Sequence, residues 1–462
     1  MAEQMNLGGA WRMREADSQT WHSAHVPGSV YADLMADGTM PDPFWRENEL
    51  DAFERMKKDY VYQRAFTVTE AQLAHAHVEL VCEGLDTLAH VSLNGREIAF
   101  ADNMHITWVW DVKEQLHAGE NTLEIRFDSP ILYCAKKAEE APGWESSDAT
   151  PGFRHLRKAH CMFGWDWGPR LPDDRNIFSR VMERHQRNQA ANGKILSYLS
   201  QTFRYPNSFD DLLYASQLRQ AEAIRYGVEH WRRNRGRCMG AIIWQLNDIW
   251  PVASWASIDY YGRWKALHYA AKRFFAPVMI SAEEEGELSQ NPKINECHPA
   301  PLEKSFRLNV CNETLRDVTG KVVWALRTPD GEIVRQNQQT LTIPAMSAKW
   351  LDKVDCADAS LTGHYVSFAF VVDDVALSEG TCIFCAPKHF EFVDPRLTVE
   401  TCGDTLVVTS HAYAKQVWLE SEDADLLLDD NAFDMNPGTE VVRVVKGTAE
   451  KVRVRSVWDL GR

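Results

Sequence analysis

Short runs of β-branched and aromatic residues, each bounded by turn residues, occupy both ends of this chain. In the first 172 residues these runs are Val61–Val68, His77–Cys82, Ala89–Leu93 and Thr122–Phe127. The Asn94-Gly95 pair after the third run is typical of a two-residue hairpin. Many short strands joined by such turns predict a β-sandwich or jelly roll, which excludes an all-helical fold for this part.

A second β-rich part follows Pro277. Alternating runs predict one sandwich with strands at Phe306–Val310, Lys321–Leu326, Gln339–Ile343, His364–Val372 and Thr381–Phe384. A last β unit has predicted strands at Leu397–Thr401, Thr405–Ser410, Gln416–Ser421 and Glu440–Val445. The polar, acidic stretch Ser281–Pro301 predicts a linker or loop between the middle of the chain and these strands.

The middle of the chain has a different spacing of apolar residues. Asp210–Arg232 carries apolar residues at a helical period, and Arg263–Phe275 predicts another helix. Between them, Cys238–Leu246 is a nearly continuous apolar run, which favours a strand buried on both faces. Helix, buried strand and helix in this order are typical of an α/β barrel.

Charge and cysteine usage limit the classes of partner and compartment. The chain has 50 Lys and Arg against 66 Asp and Glu, a net charge of −16, which disfavours nucleic acid and anionic membranes as partners. No secretory signal begins the sequence, and no apolar run approaches the ~20 residues that cross a bilayer. Cys382 and Cys385 have metal-like spacing without a second pair, so we expect free thiols, no metal site and a cytoplasmic protein.

Tryptophan is unusually frequent, with 17 residues in the chain, and two segments concentrate it. In Phe163–Arg170, Trp165 and Trp167 flank Asp166. Indoles stack on the C–H face of a sugar and a carboxylate accepts from its hydroxyls, although a packed corner with a capping Asp would give the same pattern. Trp244 ends the predicted strand Gly240–Ile243, where a barrel collects functional groups, or else it is a core residue before a turn.

These two segments resemble the β-mannosidases of glycoside hydrolase family 2. The resemblance also includes His25–Ser29, Glu83–Asp86, Leu93–Gly95, Val181–Asn188, Ala190–Lys194 and Ser257–Trp264. It implies an exo-acting, retaining glycosidase that removes terminal β-D-mannose from oligosaccharides and needs no cofactor. It also implies that Asp166 binds the hydroxyls of the sugar, that Trp165 and Trp167 shape the pocket, and that Trp244 forms an aromatic wall.

The chain departs from this family where catalysis would take place. The acid/base and nucleophile glutamates of the family should lie between the Phe163–Arg170 and Val181–Asn188 segments, which only Leu171–Arg180 separates here. A complete barrel takes about 250 residues, more than twice what 174–277 supplies. Dipeptides that imitate the catalytic pair occur outside the predicted barrel, at Glu49, Glu296, Glu313, Glu379 and Glu422. We therefore expect no catalytic residues.

The predicted fold class is multidomain and mostly β. It comprises an N-terminal jelly-roll sandwich (1–173), a partial (β/α)8 barrel (174–277) and two C-terminal immunoglobulin-like sandwiches (278–388 and 389–462). The leading hypothesis is a β-mannosidase-like glycoside hydrolase that is inactive as written, with β-mannoside oligosaccharides as its partners. The alternatives are a non-catalytic carbohydrate-binding protein that uses the Trp-rich loop, and a scaffold of sandwich domains.

Overall fold

The computed structural model describes residues 3–45, 48–143, 152–158, 177–179, 182–183, 191–290, 302–422 and 425–462. The described chain is multidomain and mostly β, as predicted. It divides into two compact units. The first comprises the residues up to Asp174 with Phe178–Arg187 and Ile249–Val252, and the second comprises the rest.

The first unit is built on an antiparallel six-stranded sheet in the order β2-β1-β3-β8-β5-β6, and β4 pairs with β7. Its strands are β1 Gly9–Glu15, β2 His22–Val26, β3 Tyr60–Val68, β4 Glu79–Cys82, β5 Ala89–Leu93, β6 Arg96–Ala101, β7 Trp108–Asp111 and β8 Gly119–Phe127. Its helices are α1 Val30–Ala36, α2 Glu49–Arg55, α3 Glu70–Leu73 and α4 Pro130–Glu140. Val91, Leu93 and Leu123 are buried in its core, so the apolar residues that alternate along the sequence form the inward faces of β5 and β8.

The predicted hairpin is confirmed. Leu93 of β5 pairs with Arg96 of β6, which leaves Asn94 and Gly95 as the two-residue loop. Both have positive φ, 52° for Asn94 and 79° for Gly95, as a type I′ turn requires. Asn and Gly reach this backbone conformation at the least cost, which is why the pair marks the turn in the sequence.

Three longer helices open the second unit: α5 Ala191–Thr202, α6 Phe209–Arg233 and α7 Ala266–Phe274. The last two confirm the helices predicted from apolar periodicity. Ser208 caps α6 by accepting a hydrogen bond from the Asp211 backbone N–H, and two aspartates follow in its first turn. Leu218 of α6 and Leu267 of α7 are fully buried in one hydrophobic core.

The first immunoglobulin-like part of the second unit contains two four-stranded sheets. Its strands are β9 Val278–Glu285, β10 Ser305–Asn312, β11 Val318–Arg327, β12 Ile333–Ile343, β13 Ser347–Trp350, β14 Val354–Asp355, β15 Tyr365–Val372 and β16 Val375–Ile383. The short helix α8 spans Glu287–Gln290. Ile280, Phe306 and Phe370 lie in the core of this part.

The linker predicted from Ser281 onward is wrong for its first five residues. β9 continues through Glu285 and pairs with β10 along its whole length. Its acidic end is tolerated because cations of α6 lie near it, and Arg233 donates to the Ala282 carbonyl at 3.0 Å. Residues 291–301 lie outside the described part of the chain.

The last β part consists of the sheets β17-β18-β22-β20 and β21-β19-β23. Its strands are β17 Thr398–Cys402, β18 Thr405–Ser410, β19 Ala414–Ser421, β20 Leu427–Leu428, β21 Phe433–Met435, β22 Gly438–Lys446 and β23 Val452–Arg455. Leu406, Leu419 and Val442 are buried between the sheets. The eight described cysteines are free, and five of them are buried, Cys382 and Cys385 included.

The predicted buried strand over Cys238–Leu246 is wrong. This segment belongs to none of the sheets in the described ranges. Ile242 is 95% exposed, and Leu246 is 60% exposed. A strand buried on both faces needs neighbouring strands on its edges and a second layer over its outer face, and the described chain places neither beside this segment.

Candidate functional site

The four residues predicted to bind substrate divide into two groups. Trp165, Asp166 and Trp167 lie outside the described residues. Trp244 is described, follows α6 in the chain and is 58% exposed. The described part of the candidate site is therefore Trp244 and the loop that follows it.

Backbone hydrogen bonds fold the loop from Trp244 to Lys265 back on itself. The Ile258 N–H donates to the Leu246 carbonyl at 2.8 Å, and the Asp248 N–H donates to the Ile258 carbonyl at 3.1 Å. The Lys265 N–H then donates to the Ser257 carbonyl at 3.0 Å, directly before α7. These bonds hold the backbone of the loop that follows Trp244.

Asp248 is the buried anchor of this loop. One carboxylate oxygen accepts from the Ser254 hydroxyl at 2.6 Å, and the other lies 3.3 Å from the Lys265 ammonium. Burial raises the pKa of Asp248 above its ordinary value, against the opposing effect of Lys265. Because both oxygens have partners inside the loop, Asp248 positions the backbone and offers no free oxygen to a ligand.

A second polar contact ties the loop to α7. The Ser257 hydroxyl donates to the Leu246 carbonyl at 2.9 Å and lies 3.2 Å from Nδ1 of His268. Burial lowers the pKa of His268, so its imidazole is neutral at pH 7. The Trp264 ring lies 4.9 Å from the His268 ring, centroid to centroid. Sequence reasoning missed the contact between Ser257 and His268, because no local sequence pattern links a residue in a loop to a residue in the following helix.

Further aromatic side chains of the loop are accessible. Trp255, Tyr260 and Tyr261 are 38%, 40% and 45% exposed. The Arg263 guanidinium lies 4.9 Å from the Tyr261 ring centroid and 2.7 Å from a carboxylate oxygen of Asp259. Exposed aromatic faces beside hydrogen-bonding side chains suit the C–H faces and hydroxyls of a sugar. Among these residues, sequence reasoning singled out Trp244 alone.

The dipeptides that imitate a catalytic pair are dispersed. Glu49 begins α2, Glu379 lies in β16 and Glu422 follows β19. Glu313 forms an ion pair with Arg235, which fixes its carboxylate beside β10. Glu296 lies outside the described residues. The described imitators therefore belong to different elements.

The sequence did not indicate that Glu222 and Glu284 lie near the same cation, Arg225. Glu222 of α6 accepts from Arg225 at 2.8 Å and from the Gln416 side chain at 2.6 Å. Burial alone would raise the pKa of Glu222, but Arg225 and Lys415 outweigh it and lower the pKa to about 2. Burial raises the pKa of Glu284 in β9 to about 7 despite the same Arg225. Opposite shifts of two carboxyls can indicate an acid and a base, but here they belong to a packed ion network.

Within the described ranges, no group of three or more His, Cys, Asp or Glu residues is arranged to hold a metal ion. None of the helices in those ranges is long and apolar enough to cross a bilayer.

Three regions of the chain match known protein families. Residues 11–174 match the glycosyl hydrolase 2 galactose-binding domain-like family. Residues 304–389 match the mannosidase Ig/CBM-like domain, and residues 392–460 match an Ig-fold domain. The matches cover the two β-rich ends of the chain.

Whole-protein relatives agree with these matches. The chain is 44% identical over 176 residues to the β-mannosidase of Capra hircus, which is 36% of this chain and 20% of that protein. It is 28% identical over 322 residues to β-mannosidase B of Thermothelomyces thermophilus, 64% of this chain and 36% of that protein. The chain thus spans about a fifth to a third of the length of these relatives.

Solved structures show a similar fold. The structure of the β-D-mannosidase from Dictyoglomus thermophilum superimposes with a TM-score of 0.82 at 17% identity, over 98% of this chain and 99% of that chain. The exo-chitosanase CsxA of Amycolatopsis orientalis gives a TM-score of 0.62 at 11% identity, over 97% and 98% of the two chains. At these identities the likeness concerns the fold.

Proposed function

Since the chain carries the galactose-binding-like and immunoglobulin-like domains of the glycoside hydrolase family 2 β-mannosidases, we propose that it is a β-mannosidase-like chain without its own catalytic carboxylate pair. Its ligands are terminal β-D-mannosides of oligosaccharides, and on its own it binds them without hydrolysis. We assign the domain limits to residues 173, 277 and 388, with a partial barrel between the first two, and we place the protein in the cytoplasm.

The observation that carries this proposal is the loop that presents Trp244. The indole is exposed, while the loop behind it is fixed by the buried pair of Asp248 and Lys265. An exposed indole offers a flat apolar surface that suits the C–H face of a pyranose. Trp255 and the two adjacent tyrosines extend the choice of aromatic contacts along the same loop.

The absence of turnover follows from what retaining hydrolysis requires. Two carboxyls must stand about 5–5.5 Å apart, one to protonate the leaving oxygen and one to attack the anomeric carbon. Asp248, the buried carboxyl of the loop, is engaged by Ser254 and Lys265 through both oxygens. Losing an acid/base catalyst alone costs a factor of about 10²–10⁴, and the nucleophile is missing in addition.

Titration with mannose or a short β-mannoside, followed by tryptophan fluorescence, tests the binding part of the proposal. We expect a saturable change that Trp244→Ala weakens at least about tenfold, the value of a lost aromatic stack of ~1.4 kcal/mol. Trp458→Ala is the matched control, because this residue lies at the far end of the sequence in the last β part. An unchanged affinity in Trp244→Ala would contradict the assignment.

The second candidate, a dedicated carbohydrate-binding protein, is favoured by the exposed Tyr260 and Tyr261. It differs from the first in its evolutionary origin and in its range of ligands. A panel of β-linked gluco-, galacto- and mannosides distinguishes them: the β-mannosidase origin requires preference for mannosides, and equal binding of all three favours the second candidate.

A further inference from the structure

A cleft in the second unit lies where three separate segments of the chain meet. Its walls come from the residues after α5, from the link between β16 and β17, and from the end of the last β part. Arg204, Lys388 and Arg462 line it, one from each segment, and Trp458 lines it as well. Among the described residues that line this cleft, none is an aspartate or a glutamate. We call it the basic cleft.

Hydrogen bonds and close packing hold the walls of the basic cleft together. The Lys388 N–H donates to the Thr202 carbonyl at 3.0 Å, and the ammonium of the same lysine donates to the Ser200 carbonyl at 2.7 Å. Gly461 packs so closely against the residues after α5 that a Cβ there would lie 2.8 Å from the Tyr205 carbonyl oxygen. The cleft is therefore formed by backbone that is already in place before a ligand arrives.

The three cations of the basic cleft are available to a ligand. The Lys388 ammonium donates to a neutral carbonyl, and the Arg204 side chain is exposed. The Arg462 guanidinium lies 4.2 Å from the centroid of the Trp458 ring, which supports it on one face. None of the three forms an ion pair with a carboxylate of the described residues. Because the whole chain has a net charge of −16, a cleft lined by cations alone is a local reversal of charge that attracts anions.

The lining of the cleft favours a phosphoryl group over a carboxylate. A phosphoryl group carries about −1.5 to −2 charges near pH 7, whereas a carboxylate carries one. A guanidinium donates to phosphate oxygens through two N–H groups at once, and an ammonium adds a point charge. Phe203 and Leu460 also line the cleft and are buried, so water is excluded on that side and the attraction is stronger. The volume of about 240 Å³ is below the ~300 Å³ at which sites for whole organic ligands begin.

From these observations we infer that the basic cleft binds a phosphoryl group, either as free phosphate or as the end of a small phosphate ester. Arg204 and Arg462 donate to its oxygens, and Lys388 adds the third positive charge. This inference is independent of the proposed function, because mannosides are uncharged and the loop that presents Trp244 contributes none of the lining residues.

Equilibrium dialysis of the full chain against radiolabelled inorganic phosphate, at pH 7 and constant ionic strength, tests the inference. We expect one phosphate per chain, and Arg204→Gln and Arg462→Gln should each weaken binding at least about tenfold, since each removes a charge-assisted donor. Arg204→Gln should leave the melting temperature without phosphate unchanged, because this side chain is exposed and has no ion pair in the described chain. Arg316→Gln, at an exposed arginine outside the cleft, is the matched control.

A second set of dialysis experiments distinguishes the sources of the phosphoryl group. Glycerol phosphate that binds at least tenfold more tightly than inorganic phosphate would assign the cleft to an ester, and weaker binding would assign it to the free ion. Absence of saturable binding, an equal effect of Arg204→Gln and Arg316→Gln, or displacement of phosphate by an equal concentration of acetate would overturn the inference. The mannoside titration is run without phosphate, so its control at Trp458 is unaffected and its failure is distinguishable from a failure here.

Discussion

Glu222 and Glu284 share the cation Arg225, yet their acidities differ strongly. Glu222 receives hydrogen bonds from Arg225 and Gln416, which stabilise its charged form. Glu284 is half-buried, and desolvation favours its neutral form and raises its pKa to about 7, despite the cations Arg225 and Arg233 near it. The charged form of Glu284 therefore destabilises the folded state at neutral pH, and protonation of Glu284 removes this destabilisation.

This destabilisation makes the free energy of unfolding depend on pH, and the direction of the change is fixed. Between the ordinary value of about 4.5 and the folded pKa of about 7, the folded state binds more protons than the unfolded chain. The free energy of unfolding therefore falls as pH rises through this window, by on the order of 2 kcal/mol, and levels off above it. Glu284→Gln should reduce this slope and be the more stable protein at pH 8, in urea unfolding at pH 5, 6, 7 and 8. Glu283→Gln on the same strand should retain the slope, and an unchanged slope in Glu284→Gln would contradict the assignment.

The ion pair behind Trp244 gives a second prediction at this scale. The side chains of Lys265 and Asp248 are 14% and 2% exposed, so removing the cation leaves a buried carboxylate without its counter-ion. Lys265→Met should lower the free energy of unfolding by about 3 kcal/mol at pH 7, and less at lower pH, where Asp248 is protonated.

Adding Asp248→Asn to Lys265→Met should recover part of the lost free energy of unfolding, since the double variant has no buried carboxylate without a counter-ion. Lys349→Met, at an exposed lysine of β13, should have little effect. A loss in the double variant equal to the sum of the single losses would show that the two residues do not interact.

At the scale of elements, local chemistry made the strands and helices predictable. Alternation located β3, β5 and β8 because one face of each strand is buried, and the apolar period located α6 for the same reason. The two errors have a common cause in contacts distant in sequence. Glu283–Glu285 looked like a loop because the arginines of α6 that compensate these charges lie about 50 residues earlier. Cys238–Leu246 looked like a buried strand because apolarity predicts burial, whereas burial needs partners.

The candidate site was less predictable than the fold. Trp244 could be found from its place at the end of an apolar run, but Asp248, Lys265, Ser257 and His268 meet through the return of the loop. No periodic pattern encodes such a return, because its residues belong to a turn and to the start of a helix. Trp165, Asp166 and Trp167 remain predictions, since they lie outside the described residues.

The β5–β6 hairpin gives the prediction at this scale. The Asn94 amide donates to the Gln115 carbonyl at 2.9 Å and to the Asn121 side chain at 2.8 Å, and its oxygen accepts from the Thr122 N–H at 2.9 Å. Asn94→Ala loses these bonds and the preference of Asn for positive φ, so it should lower the free energy of unfolding by about 2–3 kcal/mol. Asn337→Ala, on the exposed side of β12, is the matched control in thermal or urea unfolding. Equal stability of the two variants would contradict the role assigned to the turn.

At the scale of the whole molecule, the chain combines β domains of a glycosidase family with a helical middle too short for a complete barrel. The loop that presents Trp244 lies in this middle part, with Asp248 buried beside Lys265 and the indole exposed. The proposed function follows from that arrangement.

Hydrolysis of a chromogenic aryl β-mannoside by the purified chain tests whether the chain lacks a catalytic carboxylate pair. We expect release of the aryl group at the rate of the buffer alone, for the wild type and for Trp244→Ala, while a full-length β-mannosidase assayed alongside turns the substrate over. A rate above buffer that scales with the concentration of the chain and persists after further purification would contradict it, because it would require a catalytic carboxylate pair within these 462 residues.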